Sequence, residues 1–326
     1  MTDTWTWATV TQASPLRIKV DGDTTALDAT TDDLVGSLAV DDRVRVHLHS
    51  DGIIVTGVQG GGNRSNPNLL INSNFMVNQR GAVSGAGVAF DAYFLDRWKG
   101  VAGDPRPVSW SDSGGVRTLV ISDGNSNQAI RQVVEKANVP AGEITLSWDR
   151  DCYGTVYQAG STPAVLLDTS PVTITVDGTT DVVVDVVGAG SRRNLTHVKL
   201  ERGPIATPYQ HPTYADNLRT CMRYYQRFGG INLYEPIGQG AAQSTTVAVI
   251  QVPLVVPMRA GPTVTSSTLA LYDQTTSRAT TVGAYVFLGK SVIRIDFDAT
   301  GLTQYRPQQL ICYGSLSAYL ALDAEL

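Results

Sequence analysis

The chain of 326 residues is long enough for two or three domains. Its formal net charge of -5 argues against a nucleic-acid-binding protein, which would carry a basic patch, and its most apolar run, residues 247–258, is too short to insert across a membrane. The 31 glycines, 15 prolines and low charged fraction of 17% favour short strands joined by turns over helices.

Residues 1–59 form the first predicted domain. Their strand-like runs are separated by the turn signals SP, DGD and SDG, and about five strands in so short a segment predict a small closed barrel of the OB or SH3 kind. In the run RVRVHLH, apolar and polar residues alternate strictly, so His47 and His49 share the outward face. A metal ion or a neighbouring subunit could bind such a pair, but a solvated strand face is the plainer interpretation. Residues 60–68, rich in Gly, Asn and Ser, are predicted to form a linker.

Residues 69–211 form the second predicted domain. Many strand-like runs bounded by Gly, Asp and Asn predict a β-sandwich, and in particular a jelly roll. Trp148 is in phase with the apolar residues of its strand, so we expect it in the core. Tyr153 and Tyr157 follow it and are the remaining candidates for stacking on a sugar, since aromatic faces suit pyranose rings.

Residues 212–230 contain the one convincing helix of the sequence, predicted over residues 212–228. Pro212 and Thr213 mark its start, and two consecutive glycines mark its stop. Five residues spaced 4, 3, 4 and 3 apart predict a heptad seam: Tyr214, Leu218, Cys221, Tyr225 and Phe228. Two interpretations remain open, because the helix could pack on its own chain or form a short dimeric or trimeric coiled coil.

Residues 231–326 alternate between apolar and polar residues in several runs, most clearly in VIRIDF. This pattern predicts a third all-β domain, a C-terminal β-sandwich. The fold class that follows is mainly all-β and multidomain, with one short helix between the central jelly roll and the last sandwich.

No catalytic or metal-binding motif stands out. The signatures of serine hydrolases, zinc peptidases and P-loop proteins are missing, and the three cysteines are too far apart in sequence for a metal site. A glycosidase needs two carboxylates about 5–10 Å apart, for which Asp149 and Asp151 are weak candidates that an aspartate-rich turn explains equally. Residues 21–23 and 149–151 could bind calcium but lack the spacing of a calcium loop. The sequence therefore predicts neither an enzyme nor a cofactor.

Three elements of the sequence resemble a pattern common in bacteriophage tail-fibre and minor tail proteins. They are NLLINSNFMVNQRG, YFLDRW and HVKLERGPIATPYQHPTYADNLRTCMRYYQRF, and they occur in the usual order within residues 66–228. In that family the first element opens a jelly roll similar to carbohydrate-binding modules, and the last closes it and leads into a terminal domain. This chain has NSNF where the family often has NGNF. Residues 1–59 also resemble the small N-terminal barrel of tail proteins from phages of actinobacteria.

The resemblance implies a non-enzymatic structural protein of the virion, located at the phage tail and made in the cytoplasm of the bacterial host. The N-terminal barrel would dock on other tail or baseplate proteins, and residues 231–326 would point outward. Such fibres are usually threefold, which implies a homotrimer held by residues 212–326. Weak contacts to a host-surface glycan would then add up to firm attachment.

Two other functions remain open. The chain could be an architectural baseplate adaptor that holds another fibre protein and never touches the host. It could also be a hydrolase of cell-wall or capsule polysaccharide, which would require a catalytic carboxylate pair.

Overall fold

The computed structural model describes residues 4–31, 38, 42–50, 52–58, 65–101, 106–121, 128–148, 152–161, 167–188 and 193–326. Regular structure in these ranges is nearly all β, in several sheets and with one α-helix, so the predicted mainly all-β, multidomain fold is confirmed. In the same ranges no helix combines the length and the apolar character needed to span a bilayer. The chain divides into two compact units, the first with residues 1–67 and 205–210, the second with residues 68–204 and 211–326.

The first unit contains one six-stranded sheet. Its strands are β1 (Thr4–Ala13), β2 (Leu16–Val20), β3 (Leu27–Asp28), β4 (Thr30–Thr31), β5 (Arg43–His49) and β6 (Gly52–Val58). The order across the sheet is β3-β2-β1-β5-β6-β4, and β4 and β6 run parallel. The fully buried residues of its core include Val10, Ile18, Val44, Val46 and Val55. Closure of this sheet into an OB-like or SH3-like barrel stays a prediction.

The predicted linker, residues 60–68, lies partly outside the described residues. At its end, Asn68 Nδ2 donates a hydrogen bond to the Val198 carbonyl at 2.9 Å, so Asn68 belongs to the sandwich of the second unit. Residues 205–210, placed by the sequence in the central domain, lie in the first unit. There Thr207 Oγ1 accepts a hydrogen bond from Asn66 N at 3.0 Å.

The second unit begins with a β-sandwich. Its strands are β7 (Gly87–Val88), β8 (Tyr93–Leu95), β9 (Trp98–Gly100), β10 (Arg106–Ser113), β11 (Val116–Ile121), β12 (Gln128–Val134), β13 (Gly142–Trp148), β14 (Tyr153–Gln158), β15 (Val172–Val176), β16 (Val182–Gly188), β17 (Arg193–Leu195) and β18 (Val198–Arg202), with a 3-10 turn at Lys136–Asn138. They form the sheets β17-β11-β10-β7, β14-β16-β12-β9-β8 and β15-β13-β18. All three sheets contribute to one core, which includes Leu95, Trp98, Leu119, Ile130 and Leu200.

Trp148 sets the position of strand β14. The indole is 6% exposed, in the core as its phase predicted, and its Nε1 donates to the Cys152 carbonyl at 2.8 Å. Gly154 lies against the ring, because a Cβ there would come within 2.7 Å of it. Gly154 therefore faces the core. Because side chains alternate along a strand, Tyr153 and Tyr157 lie on the opposite face of the sheet.

The helix is shorter than predicted. Helix α1 spans Tyr214–Cys221, whereas the sequence predicted a helix over 212–228. After a turn the chain continues as strand β19 (Tyr225–Phe228), which pairs with strand β27 (Tyr319–Asp323). The aromatic residues after the helix favour a strand, and pairing with β27 satisfies their backbone.

The predicted heptad seam therefore does not lie on one helix. Tyr214, Leu218 and Cys221 are on α1, whereas Tyr225 and Phe228 are on β19. Tyr214 is 57% exposed and Cys221 is fully buried, so even the helical members do not form one stripe. The interpretation in which the helix packs on its own chain agrees with this burial, and the homotrimer stays a prediction.

The C-terminal part of the second unit contains a closed barrel where the sequence predicted a sandwich. The strands of this C-terminal part are β20 (Pro236–Ala242), β21 (Val247–Pro253), β22 (Thr263–Ser267), β23 (Leu269–Tyr272), β24 (Ser277–Leu288), β25 (Val292–Asp298) and β26 (Pro307–Cys312), followed by β27. Six of them close in the order β20-β21-β25-β24-β23-β26, and β19, β27 and β22 form a separate three-stranded sheet. Both pack on one core that includes Ile250, Ile295, Phe297, Leu310 and Leu320.

Asparagine side chains hold the segment of residues 68–81. Asn72 is 1% exposed and adopts a φ of 54°. Its Nδ2 donates to the carbonyls of Val77 and Asp96, and its Oδ1 accepts from Val77 N, each at 2.9 Å. Trp98 Nε1 donates to the Asn72 carbonyl, also at 2.9 Å. A side-chain amide offers a donor and an acceptor as a peptide group does, so it satisfies buried backbone where no strand runs alongside.

Asn217 links this segment to helix α1. Its Oδ1 accepts from Asn72 N, and its Nδ2 donates to Asn74 Oδ1, both at 2.9 Å. The side chain is buried, with only 5% of the residue exposed. Hydrogen bonds from the Asn217 side chain thus connect helix α1 to the start of the sandwich.

A buried ion pair joins the sandwich to the end of the barrel part. Arg97 is 1% exposed, and its Nη1 donates to Glu325 Oε2 while its backbone N donates to Oε1 at 3.1 Å. The guanidinium lies over the Tyr224 ring, 3.7 Å from its centroid. Arg80 donates to Asp323 at 2.8 Å and to Glu325 at 3.3 Å. Both parts of the second unit therefore share one charged contact.

We expect Asn217→Leu to lower the free energy of unfolding by about 2 kcal/mol, because leucine keeps the volume but leaves buried polar atoms of Asn72 and Asn74 unpaired. Denaturant unfolding followed by tryptophan fluorescence measures this loss. Arg219→Leu on the exposed side of the same helix is the matched control and should change stability by less than about 0.5 kcal/mol. Equal effects of the two variants would contradict the assigned role of Asn217.

Candidate ligand-binding face

The five-stranded sheet of the sandwich has one face in the core and one that turns away from it. Along β12, β14 and β16 the even-numbered residues Ile130, Val156 and Val184 lie in the core, so the odd-numbered residues lie on the opposite face. We call this opposite face the Arg131 face. Its polar and aromatic residues are Tyr93, Lys99, Arg131, Tyr153, Thr155, Tyr157 and Asp185.

A bidentate ion pair lies on this face. Arg131 and Asp185 stand opposite each other on β12 and β16. Arg131 Nε donates to Asp185 Oδ1 at 2.7 Å, and Nη2 donates to Oδ2 at 2.8 Å. Tyr157 accepts from Arg131 Nη2 at 2.8 Å and its hydroxyl donates to Asp185 Oδ2 at 3.2 Å. Three strands therefore hold one guanidinium in a fixed orientation.

The electrostatics keep these groups in their usual protonation states. The hydrogen bonds to Asp185 raise the pKa of Arg131 above its ordinary value. Burial, and then the charge of Asp185, raise the pKa of Tyr157. At neutral pH the arginine is therefore charged and the Tyr157 phenol is protonated, so both act as fixed hydrogen-bonding groups.

Arg131 retains hydrogen-bonding capacity. Its side chain is 27% exposed, and its Nη1 makes no hydrogen bond to any residue in the described ranges. Tyr153 is partly exposed on the same face. Tyr157 is only 9% exposed, so its ring positions Arg131 and does not offer a stacking surface.

The face continues to the far edge of the sheet. Lys99, opposite Arg131 on β9, donates to Asp91 at 2.7 Å and to the Leu326 carbonyl at 3.2 Å. Tyr93 donates to the same carbonyl at 2.6 Å. Phe90, which bridges to Gly100 beside Lys99, is 63% exposed.

The structure brings Tyr153 and Tyr157 to one face of one strand, as their spacing requires. The sequence analysis missed Arg131, Asp185 and Lys99. A signal for two of them exists, because AIRQVV and VVVDVV each carry a single charge within an apolar strand. A lone charge in such a run indicates a paired partner on a neighbouring strand.

His47, one of the two candidate metal-binding histidines, packs against an aromatic ring. His47 stacks on Trp5, with ring centroids 4.4 Å apart and an interplanar angle of 9°. The side chain of His49 lies outside the described residues. Over the part of the chain that the structure describes, no group of three or more His, Cys, Asp or Glu could hold a metal ion. Within the first calcium candidate, residues 21–23, the Asp21 carboxylate is bound by Arg43, which lowers its pKa.

The catalytic candidates Asp149 and Asp151 lie outside the described residues. The neighbouring Cys152 is buried and unoxidised, as are Cys221 and Cys312. Burial raises the pKa of Cys221 well above that of a free thiol. This thiol is therefore protonated at neutral pH and unsuited to nucleophilic attack.

No family model and no curated protein matches this sequence. Among solved structures, the chain is similar to the N-terminal CBM22-1–CBM22-2 tandem domain of Xyn10C from Paenibacillus barcinonensis. The two are 9% identical in sequence, and the alignment covers 80% of this chain and 97% of that chain with a TM-score of 0.27. Superposition at this level assigns neither a fold nor a ligand.

We expect Asp185→Ala to lower the free energy of unfolding by about 2 kcal/mol, because Arg131 would lose both charged hydrogen bonds in a partly buried position. Denaturant unfolding measures the loss. The Arg117–Asp112 pair is also bidentate but its aspartate is 47% exposed, so Asp112→Ala is the matched control. We expect it to cost less than about 1 kcal/mol. A larger loss in the control would contradict the role given to the Arg131 pair.

Proposed function

We propose that this chain is a non-catalytic, glycan-binding protein of a bacteriophage tail, and that the Arg131 face contacts the sugar. The observation that carries the proposal is the fixed guanidinium of Arg131, whose Nη1 has no hydrogen-bond partner among the described residues and which lies on the same face as Tyr153. Sugars are bound by this combination, because planar donors pair with hydroxyl groups while an aromatic ring covers the apolar side of a pyranose.

The spacing on the face suits an oligosaccharide. Tyr153 and Arg131 are separated by two strand spacings across the sheet and by two residues along the strands, about 12 Å between their backbones. That distance corresponds to about two linked sugar rings, so one could contact the tyrosine and the next the guanidinium. The Asp185 carboxylate, with its side chain 9% exposed, neutralises and orients Arg131, so the guanidinium can donate to a neutral ligand.

The phage part of the proposal rests on the resemblance of three sequence elements to tail proteins. The three sequence elements, distant along the chain, come together in the second unit. Asn72 of the first element contacts Asp96 and Trp98 of the second and Asn217 of the third. The three elements thus contact one another through a single buried asparagine.

The strength of attachment then depends more on the number of chains on one tail than on any single contact. A sugar held by a few hydrogen bonds and one aromatic ring binds weakly, with dissociation constants typically in the millimolar to micromolar range. Several copies on one tail raise the effective concentration and give firm attachment. No bond is cleaved in this mechanism, and no cofactor is required.

The proposal is tested by binding of the fluorescently labelled full chain to a panel of actinobacterial cells. We expect Tyr153→Ala to weaken binding about tenfold, since it removes the aromatic surface but leaves Arg131 and Asp185 paired. Tyr214→Ala, at a tyrosine 57% exposed on α1, is the matched control and should bind like wild type. Cell binding that is absent, or that is unaffected by Tyr153→Ala, would refute the assignment of the Arg131 face.

A further inference from the structure

A groove of about 380 Å³ lies on the C-terminal barrel, apart from the Arg131 face. Strands β20, β21 and β26 form its floor, and β25 contributes to one wall. The residues that matter for its chemistry are Pro236, Gln239, Gln251, Pro253, Val292 and Gln309.

Three glutamines form a row across the groove. Gln239 on β20 stands opposite Gln251 on one side and opposite Gln309 on the other. Neighbours in the row are therefore about 5 Å apart, the spacing of adjacent strands. The residues next to them, such as Ile250 and Leu310, lie in the core, so the glutamines point out of the barrel.

The three amides have no partners of their own. In the described part of the chain, none of the side chains of Gln239, Gln251 and Gln309 makes a hydrogen bond. Each amide carries two donors and one acceptor. A row of open amides on adjacent strands is an array of hydrogen-bonding groups with no net charge.

An aromatic pair lies beyond the groove in the strand direction. Tyr234 and Tyr313 are 59% and 41% exposed, and their rings meet edge to face with centroids 6.2 Å apart. Gly314 N donates to the Leu233 carbonyl at 2.9 Å, which holds the two loops together. Tyr313 follows Gln309 by four residues and comes directly after the end of β26, a distance of about 13 Å along the chain. The combined surface is therefore longer than one sugar ring.

We propose that this groove, with Tyr234 and Tyr313 beyond it in the strand direction, binds a neutral oligosaccharide. The glutamine row hydrogen-bonds to hydroxyl groups of one or two sugars, and the tyrosine pair stacks on the next. The volume is within the range of small-ligand sites, about 300–1,000 Å³. The chain thus carries a second sugar site, in a different part of the fold from the first.

Charge and topology argue against other ligands. Among the described residues, the lining includes no acidic or basic side chain, and Arg294, opposite Gln251 on β25, is bound to Asp296 at 3.2 Å. An acidic glycan or a nucleic acid would therefore find no free positive charge here. A peptide strand could not add to the sheet, because β20, β21 and β26 are paired on both sides within the closed barrel.

The test is titration of the full chain, labelled with nitrogen-15, with neutral trisaccharides of glucose, mannose and galactose, and with trigalacturonate as the acidic probe. We expect a neutral trisaccharide to shift the side-chain amide signals of Gln239, Gln251 and Gln309. Gln239→Met should weaken this binding about tenfold, since it keeps the shape and removes the central amide. Gln243→Met, at an exposed glutamine outside the groove, is the matched control and should leave it unchanged.

The variants separate this site from the Arg131 face. Binding that Gln239→Met weakens and Tyr153→Ala leaves unchanged supports the groove, whatever the fate of the other site. Neutral sugar binding that survives Gln239→Met together with Gln309→Met overturns the groove. Shifts with trigalacturonate alone, or no shift with any neutral probe at millimolar concentration, also overturn it.

Discussion

The buried ion pair between Arg97 and Glu325 is the contact on which the second unit depends. Removing either partner would leave a charge without its counterion in the interior, which typically costs about 3–5 kcal/mol. Arg97 belongs to the turn before β9, and Glu325 follows β27, the central strand of the three-stranded sheet. The pair therefore couples the sandwich to the barrel part. Tyr224 covers the guanidinium and Arg80 adds a second link, so the contact is a network.

Asparagine side chains form hydrogen bonds with buried backbone groups at the start of the sandwich. The chain enters the core without a neighbouring strand, and buried peptide groups need partners. Asn72 and Asn217 supply them from their side chains, which explains why turn-forming amides and apolar residues alternate there. The residues that resemble phage tail proteins are thus structural. On our proposal, the sugar is contacted by Tyr153 and Arg131, which lie outside those three elements.

Local patterns in the sequence predicted much of the fold. Strand alternation was sufficient to place Trp148 in the core. Pairing between distant strands could not be predicted from local patterns. Strand β20 closes the barrel by pairing with β26, some seventy positions later, and no local signal distinguishes this closure from a sandwich. The predicted end of the helix was wrong for the same reason, because Tyr225 and Phe228 fit a heptad spacing but lie on a strand that pairs with β27. The Arg131–Asp185 pair likewise depends on the register of two distant strands.

The central claim is that the chain binds a surface polysaccharide and leaves it intact. Size-exclusion chromatography with light scattering tests it directly, on polysaccharide extracted from a bacterial strain to which the labelled chain adheres. Our account predicts that the protein co-elutes with the polymer and that the polymer's mass stays constant during prolonged incubation. A polymer that shortens with time would identify a hydrolase, and a protein that elutes alone would contradict glycan binding.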